Sequence, residues 1–483
     1  MPHQDRKSKE RIVVNHRALG QAVNGVLPAE AFRGLRVRKG ATWGPRMLAA
    51  VAVLWAWSKA EGLKERFQEA RKLGKKIFRW LPDPGRTYNG FMKQLQKWHV
   101  ELQLLCTGEL RRLMKQDPFG QWRIAGFVVI AGDGSRIELP RTRANEAVYS
   151  PNRKKKRLDK KAKAKAKRRR AKTRRKAKRQ SRESISKKAN SPQMWLTLFW
   201  HVGTGLPWAW RTGPSDSSER QHLTEMLPEL PENTLITADA GFMGYEFWSA
   251  VIGAGHSFVI RAGANVRLLK KLGFSREYDN TVYLWPDSAA KKGLPPLTLR
   301  IVWVHNGKHP MCLITNVLSK QRLSDRQIAE IYKARWGVEL FFRTFKQTFH
   351  RHKLRSHTPQ HAKLEADWSL TALWAVCLMA QREIGESDGD PRRLSPAGAI
   401  KAIQQTMGHY RNRPDGPNET LWRMLGHALQ DDYQRTSDKT ARAYPRKTKR
   451  ERTGVPKITT ALKSQVTAAR QFKNTRPEFR LPA

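Results

Sequence analysis

The chain has 483 residues, 39% of them hydrophobic and 17 of them Trp, which is enough for two or three packed domains and excludes a disordered protein. Its 93 Lys and Arg outnumber 41 Asp and Glu, and the resulting formal charge of +52 repels itself unless a polyanion is near, double-stranded nucleic acid being the commonest of suitable size. The longest apolar runs, Met47 to Trp57 and Leu370 to Ala380, fall short of the roughly 20 residues a bilayer requires, so the expectation is buried helices and no membrane partner.

The first residues, MPHQDRKSKERIVV, lack the apolar stretch of a secretory signal, so the protein is expected to remain in the cytoplasm. Residues 1–118 read as helical, with helices over 43–60, 63–73 and 91–115 and a Pro/Gly break at LPDPGRTYNG. Arg33, Arg36, Arg38, Lys39, Arg71 and Lys72 make this a DNA-binding domain; the alternative is a packing domain with a solvated basic surface. Cys106, Cys312 and Cys377 are scattered among apolar neighbours and read as reduced core residues. His350, His352, His357 and His361 are dense, but no second ligand cluster supports a metal there.

The pattern then changes to strands. RIAGFVVIAG, 123–132, is an apolar run ending at Asp133, and 194–202 and 207–212 are two further strand candidates. A helix over 218–227, a buried strand over 234–238 ending at Asp239, a helix over 245–254 and a strand over 256–261 follow. The order β-β-β-α-β-α-β, with acids after the first and fourth strands, predicts an α/β fold with a mixed sheet, the order of an RNase H-like core. Between the first and second strands, residues 152–180 hold almost no apolar side chain, so this basic insertion (152–190 at its widest) is expected to be disordered until phosphates neutralise it. NTVYLW, LTLRIVWVHN and MCLITNV alternate with Gly/Pro turns over 264–318 and read as a β-rich insertion.

IAEIYKARWGVELFFRTFKQTF, 328–349, has no Pro and one Gly and predicts a single helix. At about 100° per residue Tyr332, Arg335, Glu339 and Lys346 share an arc of roughly 60°, beside an apolar stripe of Ile331, Val338, Phe342, Phe345 and Phe349. Alone, such a face could equally be a charged outer surface. A second helix is expected over 363–382, and the basic region from 384 to 483 as an extended tail.

Asp133, Asp239 and Glu339 stand on elements that can meet. Oxygen ligands without thiolate or imidazole select a hard cation such as Mg2+, which serves in-line phosphoryl displacement by an activated water or 3′-hydroxyl. With these acids in place, the chain resembles the DDE transposases of the bacterial insertion-sequence-four family. The mark is Y-x2-R-x3-E-x6-K, here Tyr332, Arg335, Glu339 and Lys346; Asp239, Gly241 and Phe242 match D-x-G-F/Y, and Asp133 stands in Asp-Gly-Ser after a strand. The resemblance covers about 125–380, including the β-rich insertion and LRSHTP at 354–359; the two ends of the chain match only in general character.

The resemblance implies cut-and-paste transposition of an insertion sequence in a bacterial, nucleoid-associated setting. It implies an RNase H-like core at 119–263 and 319–383, with Asp133, Asp239 and Glu339 catalytic and holding Mg2+ or Mn2+. Tyr332, Arg335 and Lys346 would contact DNA phosphates, which suits a hydroxyl, a planar fork and a point charge. The partners would be double-stranded DNA, as terminal repeats and target, and further copies of the chain in a homodimer or larger synaptic complex. Excision through a hairpin would require a base stacked on an aromatic ring, with Trp248 and Trp336 as candidates and core packing as their alternative. A structure-specific nuclease and a non-catalytic nucleic-acid-binding protein on the same fold are the other readings.

Overall fold

The computed structural model describes residues 18–38, 41–79, 81–116, 122–151, 191–306, 309–408, 420–430 and 454–475. The basic insertion at 152–190 lies outside them.

One ten-stranded sheet runs in the order β10-β6-β7-β8-β9-β5-β4-β1-β2-β3. At its heart β1 (Val128–Glu138), β2 (Gln193–His201) and β3 (Leu206–Gly213) form an antiparallel meander, while β1, β4 (Thr234–Ala238) and β5 (Ser257–Ala262) pair in parallel. Parallel pairs need crossovers, and two helices, Glu219–Met226 before β4 and Tyr245–Gly253 before β5, supply them. The arrangement β3-β2-β1-β4-β5 is that of an RNase H-like core. Its central strands are buried on both faces, Val128 to Ala131 and Thr234 to Ala238 without exception, which is why they read as continuous apolar runs.

The β-rich insertion extends this sheet. β6 (Arg267–Lys270), β7 (Thr281–Leu284), β8 (Leu297–Asn306) and β9 (His309–Thr315) form antiparallel pairs, and β9 docks antiparallel on β5. β6 has no sequence counterpart among the expected strands.

The helices, numbered in chain order, are α1 (18–26), α2 (Pro45–Trp57), α3 (Leu63–Ile77), α4 (Tyr88–Lys97), α5 (His99–Lys115), α6 (Arg143–Tyr149), α7 (Glu219–Met226), α8 (Tyr245–Gly253), α9 (Asp287–Lys291), α10 (Asp325–Ala334), α11 (Gly337–Arg343), α12 (Pro359–Glu386), α13 (Pro396–Gly408), α14 (Leu421–Gly426) and α15 (Lys463–Thr475). The single helix expected over 91–115 is two, because the chain leaves helical geometry at Trp98. The tail expected to be extended contains α13, α14, β10 (Lys457–Thr460) and α15. Ala399, Ile400, Ile403 and Met407 give α13 an apolar face, and β10 pairs in parallel with β6.

The N-terminal helices and the core interlock through buried polar contacts. Trp57 donates its indole N–H to the carbonyl of Ala372 at 2.7 Å, and the buried Arg351 donates to Ala56 O at 2.7 Å and to Ser369 Oγ at 2.8 Å. Glu365, also buried, pairs with Arg66 at 3.6 Å and accepts from the backbone of Arg355 and Ser356. No described helix is long and apolar enough to cross a membrane. All three cysteines are free and buried.

Candidate active site

The register of β1 and β4 brings the two aspartates together. Their last parallel pair is Gly132 with Ala238, so Asp133, still on β1, and Asp239, just past the end of β4, follow that pair directly. β1 does not end before Asp133, as its apolar run suggests, but continues as polar GDGSRIE to Glu138, with Asp133 opposite Leu198 of β2. Pairing with β2 sustains a stretch that lacks strand-like side chains. Asp239 caps a single 3-10 turn, Ala240–Phe242, and its Oδ1 accepts from the amide of Gly241 at 2.7 Å. A Cβ on Gly241 would stand 2.9 Å from that oxygen, so a larger residue there would push the Asp239 carboxylate out of this position.

Glu339 arrives from the other side of the chain. The helix expected over 328–349 is broken: α10 ends at Ala334, Arg335 and Trp336 form a turn, α11 begins at Gly337, and Thr344–Thr348 widens into a π-turn. The amides of Trp336, Val338 and Glu339 bond three residues back, overwinding the chain there, and the π-turn underwinds it afterwards. Gly337 begins α11 in close contact with Trp200, since a Cβ on it would lie 2.0 Å from that ring, so no larger residue fits there without a shift. The apolar stripe still holds; Ile331, Val338, Phe342, Phe345 and Phe349 are all buried.

The four polar residues remain together. The Arg335 guanidinium bonds Glu339 at 3.1 Å and lies 5.3 Å from the Tyr332 ring centroid, and Lys346 donates to Ser135 beside Asp133. Burial opposes charge on Arg335, but Tyr332, Glu339 and Asp133 outweigh it and raise the pKa. Burial lowers the pKa of Lys346, with Asp133 and Glu138 acting against it. Asp133 is pushed up to about 6, first by burial and further by the charges of Asp239 and Glu339, while the Gly134 amide and Arg335 pull the other way. The sequence did not point to Ser135 or to Glu219. Glu219, in the first turn of α7, is pushed up to about 7 by burial and then by Asp133 and Asp239.

Among the described residues no three His, Cys, Asp or Glu side chains already converge as a metal site, the exposed histidines near 350–357 included. The Asp133 environment nevertheless fits a divalent cation. Its carboxylates repel one another, they offer only oxygen, and among the described residues only Arg335 pairs with Glu339. Of the two candidate tryptophans, Trp248 is fully buried and donates to Phe242 O at 3.2 Å, whereas Trp336 is 53% exposed.

The sheet order and the crossover helices define an RNase H-like fold, with Asp133 and Asp239 following the last pair of its two central strands. The chain belongs to the transposase DDE domain family, whose match spans residues 125–375, just over half of it. It is 27% identical over 197 residues to the transposase InsG for insertion sequence element IS4 of Escherichia coli (strain K12), an alignment covering 39% of this chain and 42% of that protein. Among solved structures, the piggyBac transposase synaptic complex with hairpin DNA aligns at a TM-score of 0.36 with 11% identity, covering 89% of this chain and 87% of that one.

Proposed function

We propose that the protein is a DNA transposase that excises an insertion sequence and joins its ends to target DNA. The observation that carries the reading is the adjacency of Asp133 and Asp239 beyond the Gly132–Ala238 pair, with Glu339 held towards them by Arg335. In this reading Asp133, Asp239 and Glu339 are the catalytic acids and would hold Mg2+ or Mn2+. A divalent metal there supplies Lewis-acid activation of the attacking water or 3′-hydroxyl and neutralises charge on the leaving oxygen.

The chain's own residues orient the substrate. Arg335 keeps the Glu339 carboxylate in place through their 3.1 Å pair and, already balanced by it, offers remaining N–H donors to a phosphate. Lys346, tied to Ser135 next to Asp133, adds a point charge, and the Tyr332 ring supports Arg335 from below. Residues 1–118 and the basic insertion at 152–190 would hold duplex DNA, and pairing of two transposon ends requires a dimer or larger assembly. A bacterial, nucleoid-associated setting is the one the likeness to an insertion-sequence transposase suggests.

The test mixes end-labelled donor ends, target plasmid and Mg2+ with the full chain. Strand-joined products are expected. Cleavage without joining would favour a nuclease instead, and DNA binding with neither cleavage nor joining, unchanged by Asp133→Asn, Asp239→Asn and Glu339→Gln, would reduce the protein to a non-catalytic binder.

A further inference from the structure

We infer that Glu219 supplies a fourth carboxylate to the divalent-cation site formed by Asp133 and Asp239, and that Gly134 lacks a side chain so that this carboxylate can stand there. The inference rests on the catalytic reading above and adds a residue to it.

The geometry begins with how α7 lies on the sheet. Leu223 of α7 sits over Gly132 so closely that a Cβ there would fall 2.6 Å from its Cδ1, and His222 bonds Thr197 of β2 at 2.9 Å. Those contacts fix the helix against β1 and β2. Residues 219 and 223 are one turn apart on one helix face, and 132 and 134 are two apart on one strand face. The same docking therefore sets Glu219 over Gly134, where a Cβ would lie 2.4 Å from Glu219 Oε1. The two glycines flanking Asp133 form a trough: one side receives Leu223, the other the carboxylate.

An acid in the first turn of α7 suits the helix N-terminus, but that favours any direction the carboxylate takes and does not set it over Gly134. Among the described residues it has no hydrogen-bond or ion-pair partner, and Arg136 and Arg220 act on it only at longer range. Instead it is set within electrostatic reach of Asp133 and Asp239, which repel it. An acid held unpaired beside two others is unfavourable in the free protein and favourable once a cation joins them. Ser218 caps α7 through the Gln221 amide, so the helix does not depend on Glu219 for its start.

The test titrates Mn2+ into the full-length protein by calorimetry, alongside its melting temperature and its affinity for duplex DNA without metal. Glu219→Gln should weaken Mn2+ binding about tenfold, as loss of a supporting carboxylate does elsewhere. It should also raise the metal-free melting temperature, because a repulsion is removed, and should not weaken metal-free DNA affinity, since it takes away a negative charge. A purely structural Glu219 would lower the melting temperature and leave Mn2+ affinity within twofold of the parent, and that result overturns the inference. Gly134→Ala keeps the charge but displaces it, so it should weaken Mn2+ as well; parental affinity in both variants also overturns it. Asp133→Asn, measured beside them, separates the two claims. If Asp133→Asn abolishes Mn2+ binding and Glu219→Gln does not weaken it, only this inference fails; if neither matters, the metal-site reading fails with it.

Discussion

Arg335 and Glu339 form a 3.1 Å ion pair across the break between α10 and α11, with the guanidinium almost fully buried and the carboxylate half-exposed. The pair spans the point where helical continuity is lost, so it fixes the direction in which Glu339 points. Arg335→Lys keeps the charge but loses the planar fork and its stacking on Tyr332. Strand cleavage should fall on the order of 100-fold, the usual cost of about 1 Å of misplacement at a reacting centre, with little change in melting temperature. Single-turnover cleavage of a labelled transposon end measures it, and a rate within threefold of the parent would remove Arg335 from its positioning role.

Much of this architecture was legible because its physics is local. β4 occupies the very residues expected, 234–238, since five buried apolar or β-branched residues lie between Asn233 and Asp239. α8 and the order of the core elements follow from the same kind of pattern. What was hidden depends on partners far along the chain. The continuation of β1 through GDGSRIE comes from pairing with β2, more than fifty residues on. The break at Arg335 coincides with the close approach of Trp200 to Gly337, a contact from a distant strand that a lone glycine inside a helical period does not announce. Glu219 was hidden for another reason: an acid in the first turn is ordinary helix chemistry, and only docking over Gly134 sets it apart.

His201 provides a pH test that is independent of catalysis. It is wholly buried, its ring stacks on Trp122 at 4.6 Å, its Nδ1 accepts from the Thr204 amide at 3.1 Å and its Nε2 donates to Trp122 O at 3.1 Å. Burial pulls its pKa down to about 4. The folded state therefore binds fewer protons than the unfolded state between about 6.5 and 4. The stabilisation is fully present above 6.5 and is lost as pH falls towards 4, on the order of 3 kcal/mol in all. Melting temperatures from pH 7.5 to 4.5 should drop steeply in the parent and less so in His201→Phe; parallel curves would show that another group controls acid stability.

Glu365 ties the N-terminal helices to the segment that follows the candidate site. It accepts from Ser356 N at 3.0 Å and Ser356 Oγ at 2.8 Å and faces Arg66, itself buried. Glu365→Ala leaves a buried guanidinium without its counter-charge and two amides without an acceptor. A loss of about 3–5 kcal/mol is expected, the range for breaking one partner out of a buried pair. Denaturant midpoints measure this directly. A change below about 1 kcal/mol would mean that water reaches Arg66 and that the interlock is looser than its distances suggest.

Gly337→Ala probes the contact of Trp200 with the start of α11. The added methyl meets Trp200 Cη2 at 2.0 Å, a separation no packing tolerates, and Trp200 is itself buried on β2, between β1 and β3. Either the ring moves or α11 lifts away. Overpacking of this kind costs about 1–3 kcal/mol. Because Glu339 lies two residues further along α11, lifting the helix withdraws its carboxylate from Asp133 and Asp239, so cleavage should fall by more than stability alone accounts for. The comparison that decides is with Trp200→Phe in the same chain: the smaller ring should accept the methyl and restore both melting temperature and cleavage to Gly337→Ala. If the double variant stays inactive although its stability recovers, the glycine is needed for its backbone freedom at the turn, and the Trp200 contact is not what shapes the site.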